Sequence, residues 1–299
     1  EKLTKFNTSI RAYLWYNDSM MKFDMHCHTK GGSIDSSVSV ERYIELLKAR
    51  GFDGMVITDH DSYKGYHKWL KNQGGSFWKI GADFRRKKSA DEEEQEDFCV
   101  LAGIEYDTKD AGHFLVIMPD HVKLKILQVR GMPVETLIHI VHRFGGILGS
   151  AHPFGTRSSS AMFFKKIKKK PSILQKVDFI EGFNTCEKEY ANEMAADLAR
   201  KLGKPCVGGS DAHNEKYVGM AYTLFDRKIS CNDDLIAAVK NGQVAGCGGQ
   251  VREHTTKAKM KDAFYSVWGF KAYNRSLGAL FSPYRKYKMH KLAYHHPEK

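Results

Sequence analysis

Several absences narrow what this chain can be. No apolar run approaches the ~20 residues that a membrane-spanning helix needs, so no membrane association is expected. The opening stretch, EKLTKFNTSIRAYLWYND, lacks the basic, apolar and small-residue regions of a signal peptide, and it lacks a starting Met, as expected of a trimmed or partial chain. The six cysteines, at 27, 99, 186, 206, 231 and 247, include no CxxC pair. Several lie in apolar runs (DFCVLAG, GKPCVGG), where buried thiols are expected, and a reducing, cytoplasmic compartment fits. Acidic residues are in deficit: 35 Asp and Glu stand against 47 Lys and Arg, a formal net charge of +12. That balance favours anionic partners, from phosphate esters to nucleic acid, without choosing among them. No internal repeat is visible.

What is present suits a soluble α/β protein. At 299 residues the chain makes one barrel-sized domain or two average ones, and 42% hydrophobic residues suffice for a core. Strand patterns alternate with helical ones. MKFDMHCH reads as a first strand, and DGMVITDH, FCVLAGIEY, HFLVIMP, ILGSAHP, KVDFIEGFN and KPCVGGSDAH follow, about seven in all. Between the first two, VSVERYIELLKARG places Val40, Tyr43, Ile44 and Leu47 on one helical face, with Ser39 as N-cap and Gly51 past the end. Further helices are expected at VETLIHIVHRFGG, YANEMAADLARKLG and NDDLIAAVKNG. Strands with helices between most of them suggest a parallel α/β fold.

Three stretches break this rhythm. Residues 62 to 97 contain aromatic and glycine turns and then the acidic run DEEEQED, read as a solvated loop and a possible lid, since it leaves from the catalytic rim. TRSSSAMFFKKIKKKP, after His152, is basic and loop-like. From residue 252 onward the chain is rich in Lys, Arg and aromatics, which suits a helix packed on the barrel or a basic partner-binding extension. The expected organisation is therefore a barrel over 1–251, with its insertion at 62–97, and an extension over 252–299.

The strand ends carry the chemistry. Alternate residues of a strand face one side, so Asp24, His26 and His28 point together, and His-x-His offers one metal two imidazoles. The glycines that follow let the chain turn sharply away, so that Asp35 curls back as an oxygen ligand. The second strand ends in Asp59, His60 and Asp61, and the third in Glu105; His113 opens the fourth, His152 follows the fifth, and Asp211 and His213 follow the seventh. Each has an ordinary structural explanation when taken singly. Together they put a His, Asp or Glu at nearly every strand end, where parallel α/β barrels assemble active sites.

These segments, FDMHCHT, ITDHDS, GIEY, GHFLVI, AHPFG and GSDAH, occur in the family order of the polymerase-and-histidinol-phosphatase (PHP) superfamily of metal-dependent phosphoesterases, which the chain resembles over residues 22 to 250. The resemblance implies a distorted (β/α)7 barrel with a basic C-terminal extension and a site for two or three divalent ions. It implies one metal held by His26, His28, Glu105 and Asp211. Glu105 would bridge to a second, bound also by His113 and His152. Asp35, His60 and His213 would hold a third.

Six imidazoles and three carboxylates, without thiolate, suit Zn, Mn or Fe. Closely spaced metals generate hydroxide at neutral pH and hold phosphate oxygens, so a metal-bridging hydroxide is the expected nucleophile. Asp59 would orient a ligand or accept a proton. Arg157 is the first choice for a phosphate clamp and Lys30 the second, while Lys165 to Lys170 would attract a longer polyanion or lie simply exposed. The expected function is hydrolysis of phosphomonoesters or phosphodiesters, with a small phosphorylated substrate or nucleotide as partner and nucleic acid possible. Two alternatives stand beside it: an amidohydrolase-type C–N hydrolase, and a non-catalytic barrel that binds nucleic acid or a protein partner.

Overall fold

The computed structural model describes residues 20–73, 98–155, 159–253 and 280–294. The acidic run, Arg157 and residues 254–279 of the basic extension lie outside the described residues.

Strand β1 (Met21–Cys27) leads into helix α1 (Val40–Lys48), strand β2 (Gly54–Ile57), helix α2 (Lys64–Asn72) and strand β3 (Cys99–Ala102). Strands β4 (Ile104–Asp107) and β5 (His113–Ile117) form a hairpin, after which come α3 (Val134–Arg143), β6 (Ile147–Ser150) and the short α4 (Lys165–Lys169). The chain continues through β7 (Phe179–Asn184), α5 (Glu189–Leu202), β8 (Cys206–Gly209), β9 (Ala221–Phe225), α6 (Asn232–Lys240) and β10 (Val244–Gly249), and α7 (Ser282–Tyr294) is the last described element. Local signals explain the helix ends. Ser39 Oγ accepts from Arg42 N at 3.2 Å to start α1, and left-handed Gly51 (φ 68°) and Gly203 (φ 62°) follow α1 and α5.

The strands lie in two five-stranded sheets, ordered β10-β9-β1-β2-β3 and β4-β5-β6-β7-β8. The two meet at two seams. On one side Gly103 alone separates β3 from β4, so one stretch of chain serves both sheets; a Cβ there would lie 3.0 Å from Val56 Cγ1. On the other side the segment after β8 joins the end of β1. Asp211 N donates to His26 O at 2.8 Å, Ser210 N donates to Asp24 Oδ1 at 2.9 Å, and Cys27 bridges Ala212. With β3 and β4 taken as one stave, seven staves make the distorted barrel, and β9 and β10 extend one sheet beyond it. Every stave contributes to one apolar cluster: Phe23, Met25, Val56, Leu101, Leu115, Ile117, Ile147, Phe179 and Val207, with Leu235 and Ile236 of α6.

The distortion centres on β5, which runs antiparallel to both neighbours in a barrel whose other staves pair in parallel. The cause is length. Only Thr108–Gly112 separates β4 from β5, and a parallel crossover needs about a dozen residues. The reversal has a useful result: the first residue of β5, His113, lies at the rim where the parallel strands end.

Two expected loops contain helix. Within 62–97, α2 buries Leu70; in the basic stretch α4 buries Ile167, which anchors it. Lys165, Lys168 and Lys169 are exposed, as a solvated run would be, whereas two lysines there are paired. Lys166 Nζ lies 2.6 Å from Asp110 and 3.2 Å from Glu135, and Lys170 lies 2.8 Å from Glu135. Among the described residues no helix is long and apolar enough to cross a membrane.

Candidate metal centre

The nine residues expected as ligands converge at the mouth of the barrel. Glu105 of β4 is their hub. Its Oε1 lies 2.7 Å from His113 Nδ1, 3.0 Å from His152 Nε2 and 3.6 Å from His26 Nε2. Its Oε2 lies 2.7 Å from His60 Nδ1 and 3.5 Å from His28 Nε2. Asp211 Oδ1 stands 3.2 Å from His28 Nε2 and 3.7 Å from His26 Nε2. At the outer edge, half-exposed Asp35 places Oδ2 3.2 Å from His213 Nε2 and 3.5 Å from His60 Nε2.

Three sets of donor atoms lie within 4.8 Å of one another: His26, His28 and Asp211; His60, Glu105 and His113; and His28, His60 and His213. His60 and His28 each belong to two sets. The implied grouping puts His60 with Asp35 and His213; in the structure its ring also reaches inward to Glu105.

The electrostatics follow from burial set against neighbouring charge. Burial alone would raise the Glu105 carboxyl, but His113, His60 and His26 hold it well below its ordinary range. Asp211 is likewise depressed, burial being outweighed by His26 and His28. Burial opposes charge on His26, yet Glu181, Asp211 and Glu105 raise it well above an ordinary imidazole. By the same balance His60 rises to about 11, mainly through Glu105 and Asp35, and His152 to about 9 through Glu105. His28 goes the other way, to about 3, because burial and the nearby His60 and His213 outweigh Asp211.

Three features fit this cradle to divalent cations. Glu105 Oε2 is buried and lacks an aligned hydrogen bond despite its close approach to His60. His26 Nε2 and His28 Nε2 face each other at 3.0 Å with only one proton's worth of room between them. Finally, His152 (φ 30°) and Asp211 (φ 49°) hold left-handed backbone, a strained conformation for such residues that functional sites often retain. An all-N/O donor set of imidazoles and carboxylates is chemistry that divalent cations accept.

Other expected residues stand further back. Asp59 is buried and faces the loop after β1, where Oδ1 accepts from Thr29 N (2.6 Å) and Ser33 Oγ (2.9 Å) and Oδ2 accepts from Thr29 Oγ1 (2.8 Å). Ser33 Oγ in turn lies 3.1 Å from His28 Nδ1, so Asp59 reaches the centre through Ser33. Gly32 earns its place by close approach and not by left-handed backbone: a Cβ there would lie 2.0 Å from Asp59 Oδ2. Lys30 is exposed on the same loop. Asp24 serves the barrel seam through Ser210 N and lies behind the imidazoles.

One residue central to the site went unnoticed in the sequence. Glu181 of β7, wholly buried, places Oε1 2.8 Å from His26 Nδ1, while Oε2 accepts from His152 N (2.6 Å) and Asn184 Nδ2 (3.1 Å). The signal was available: FIEGFN is a buried strand with one acid in its middle. Ser160 Oγ supports His152 Nδ1 at 3.2 Å in the same way.

The rim thus gathers six imidazoles and three carboxylates in clusters that could hold metal ions. The PHP-domain family profile matches residues 24–198, more than half of the chain, and the PHP-associated profile matches residues 189–244. This protein belongs to the PHP-domain family. Among solved structures it is similar to PsfC from Pseudomonas syringae (TM-score 0.54, 16% identity, 83% of this chain and 98% of that one). It is similar also to endonuclease Q in complex with a 27-mer duplex substrate carrying an abasic lesion (TM-score 0.51, 18% identity, 78% of this chain and 58% of that one). The lesion-specific endonuclease from Pyrococcus furiosus gives a TM-score of 0.54 at 18% identity, over 77% of this chain and 59% of its own. The chain thus spans less than two thirds of either endonuclease, and these likenesses establish the fold. Among curated protein sequences none matches.

Proposed function

We propose that the chain hydrolyses phosphomonoesters or phosphodiesters, with a nucleotide or oligonucleotide as substrate. The observation that carries this reading is Glu105, one buried carboxylate within 3.6 Å of five imidazoles at a barrel mouth. His26, His28, Glu105 and Asp211 would hold one cation, Glu105, His113 and His152 a second, and Asp35, His60 and His213 a third. Cations bound there supply an activated water at neutral pH and neutralise phosphate oxygens. The chain's own part is to keep the donors in place. Glu181 fixes the His26 ring through Nδ1, Ser160 and Glu181 hold His152, and Asp59 steadies His28 through Ser33. The excess of positive charge, +12, favours the anionic substrate.

The test is metal loading followed by turnover. After reloading with Mn²⁺ or Zn²⁺, elemental analysis should find about two or more equivalents. The loaded protein should cleave model mono- or diesters, and His26→Ala should abolish that cleavage. A loaded protein that cleaves neither, or a His26→Ala variant as active as the parent, would reject the reading.

A further inference from the structure

Helix α7 carries two different faces. Ser282, Arg285 and Met289 are its partly buried positions, and Met289 packs against the apolar cluster that contains Leu127 and Met132. On the opposite side Tyr284, Tyr287, Lys288 and Lys291 recur at helical spacing, with Phe281 just before them. Tyr284 is 60% exposed, Tyr287 66% and Phe281 53%. No acidic residue occurs between Ser282 and Tyr294, so no carboxylate of the helix offsets the charge that Lys288 and Lys291 bring to this face. Among the described residues, packing accounts for the inner face and leaves the outer one unexplained.

The helix is also tied to the flank of the metal centre. Its Arg285 guanidinium lies 3.6 Å from where a Cβ of Gly131 would stand. The adjacent Arg130 pairs with Asp107, whose Oδ1 is 3.8 Å from His113 Nε2. These contacts, made by the inner face of α7, set the helix beside the flank of the mouth.

We infer that the outer face of α7, beside the flank of the centre, binds single-stranded nucleic acid; this rests on the phosphoesterase reading above and specifies its substrate as a chain. The chemistry matches. Exposed phenol and phenyl faces stack unpaired bases, and lysines interleaved with them neutralise phosphates. A duplex presents its bases only in grooves and would leave the aromatic rings without partners.

The experiment is fluorescence anisotropy of a labelled unpaired oligonucleotide with the full chain in EDTA, so that nothing is cleaved. Lys288→Gln with Lys291→Gln should reduce the slope of log K against log[salt] by about 1.4, or about 0.7 per lost phosphate contact. Tyr284→Ala with Tyr287→Ala should weaken binding at least tenfold or so at fixed salt and leave that slope in place. Both pairs are on the surface, and equal melting temperatures will exclude unfolding as the cause. Parental affinity and slope in both variants would overturn the proposal. So would competition by polyglutamate or phosphatidylserine vesicles as effective as that by unlabelled oligonucleotide, which would assign the face to an acidic protein or a membrane. Binding without any cleavage of model esters in metal would count against the phosphoesterase reading alone.

Discussion

Replacing Glu181 with Gln tests the centre while leaving all nine proposed ligands in place. Three N–H donors converge on the two carboxylate oxygens: His26 Nδ1 on Oε1, and His152 N with Asn184 Nδ2 on Oε2. Glutamine keeps one acceptor oxygen and adds two donors. If that oxygen stays with His152 and Asn184, the new NH₂ faces His26 Nδ1. The ring must then either meet donor with donor, at about 1–3 kcal/mol for an unmade buried hydrogen bond, or move its proton to Nε2. Nε2 is the nitrogen that faces His28 and Asp211, and protonating it removes the lone pair a cation needs. The opposite amide orientation sets NH₂ against two donors and costs more. Removing the carboxylate behind a metal-bound imidazole lowers metal affinity about 10–100-fold, a range that the hydrogen-bond cost alone reaches. The assay is competition of the metal-free protein with a chromophoric chelator for Mn²⁺ or Zn²⁺, with circular dichroism as the control for folding. A folded Glu181→Gln protein with affinity within about twofold of the parent would refute the reasoning.

Metal affinity should rise steeply with pH. Because His26, His60 (about 11) and His152 (about 9) are raised, they carry protons at pH 7 in the metal-free protein, and a cation must displace them. Log K should climb by at least about one per pH unit between pH 6 and 8; a flat profile contradicts it. The metal-free protein should also lose stability at both extremes, which melting curves against pH will show. The raised histidines stabilise it fully below their unfolded value and lose that contribution as pH rises through 9 to 11, whereas depressed Glu105 and Asp211 lose theirs as pH falls below about 4. Gly65→Ala puts a Cβ 2.1 Å from both Asp59 Oδ2 and Thr29 Oγ1, and should cost about 1–3 kcal/mol by thermal melting. Gly246→Ala, with nothing within 4 Å and ordinary backbone, should melt no lower than the parent.

Local spacing made much of the fold readable. Ser39, Gly51 and Gly203 bound their helices where capping chemistry puts them, and alternation brought His26 and His28 to one side of β1. The reversal of β5 was readable too, from the short turn at Thr108–Gly112, but the rhythm of apolar runs masked it. Glu181 escaped for a different reason. Its partners, His26 and His152, lie far away in sequence, so its significance comes only from closure of the barrel. Lys166 and Lys170 repeat the lesson: they looked like a solvated run because Asp110 and Glu135, which pair with them, approach from the β5 hairpin and α3. Ser33 and Ser160 are loop hydroxyls, and no spacing rule distinguishes those that support an imidazole from the rest.

Gly103, where the chain passes from one sheet to the other within a single residue, means that the centre has its feet on two floors. His26, His28 and His60 stand on the sheet of β1 and β2, while Glu105, His113 and His152 stand on the other. A cation gripped from both floors would work as a rivet as well as a reagent. Slippage of one sheet past the other would be felt first as a change in grip, so the mechanical closure of this molecule and its chemical readiness are the same property measured in two ways.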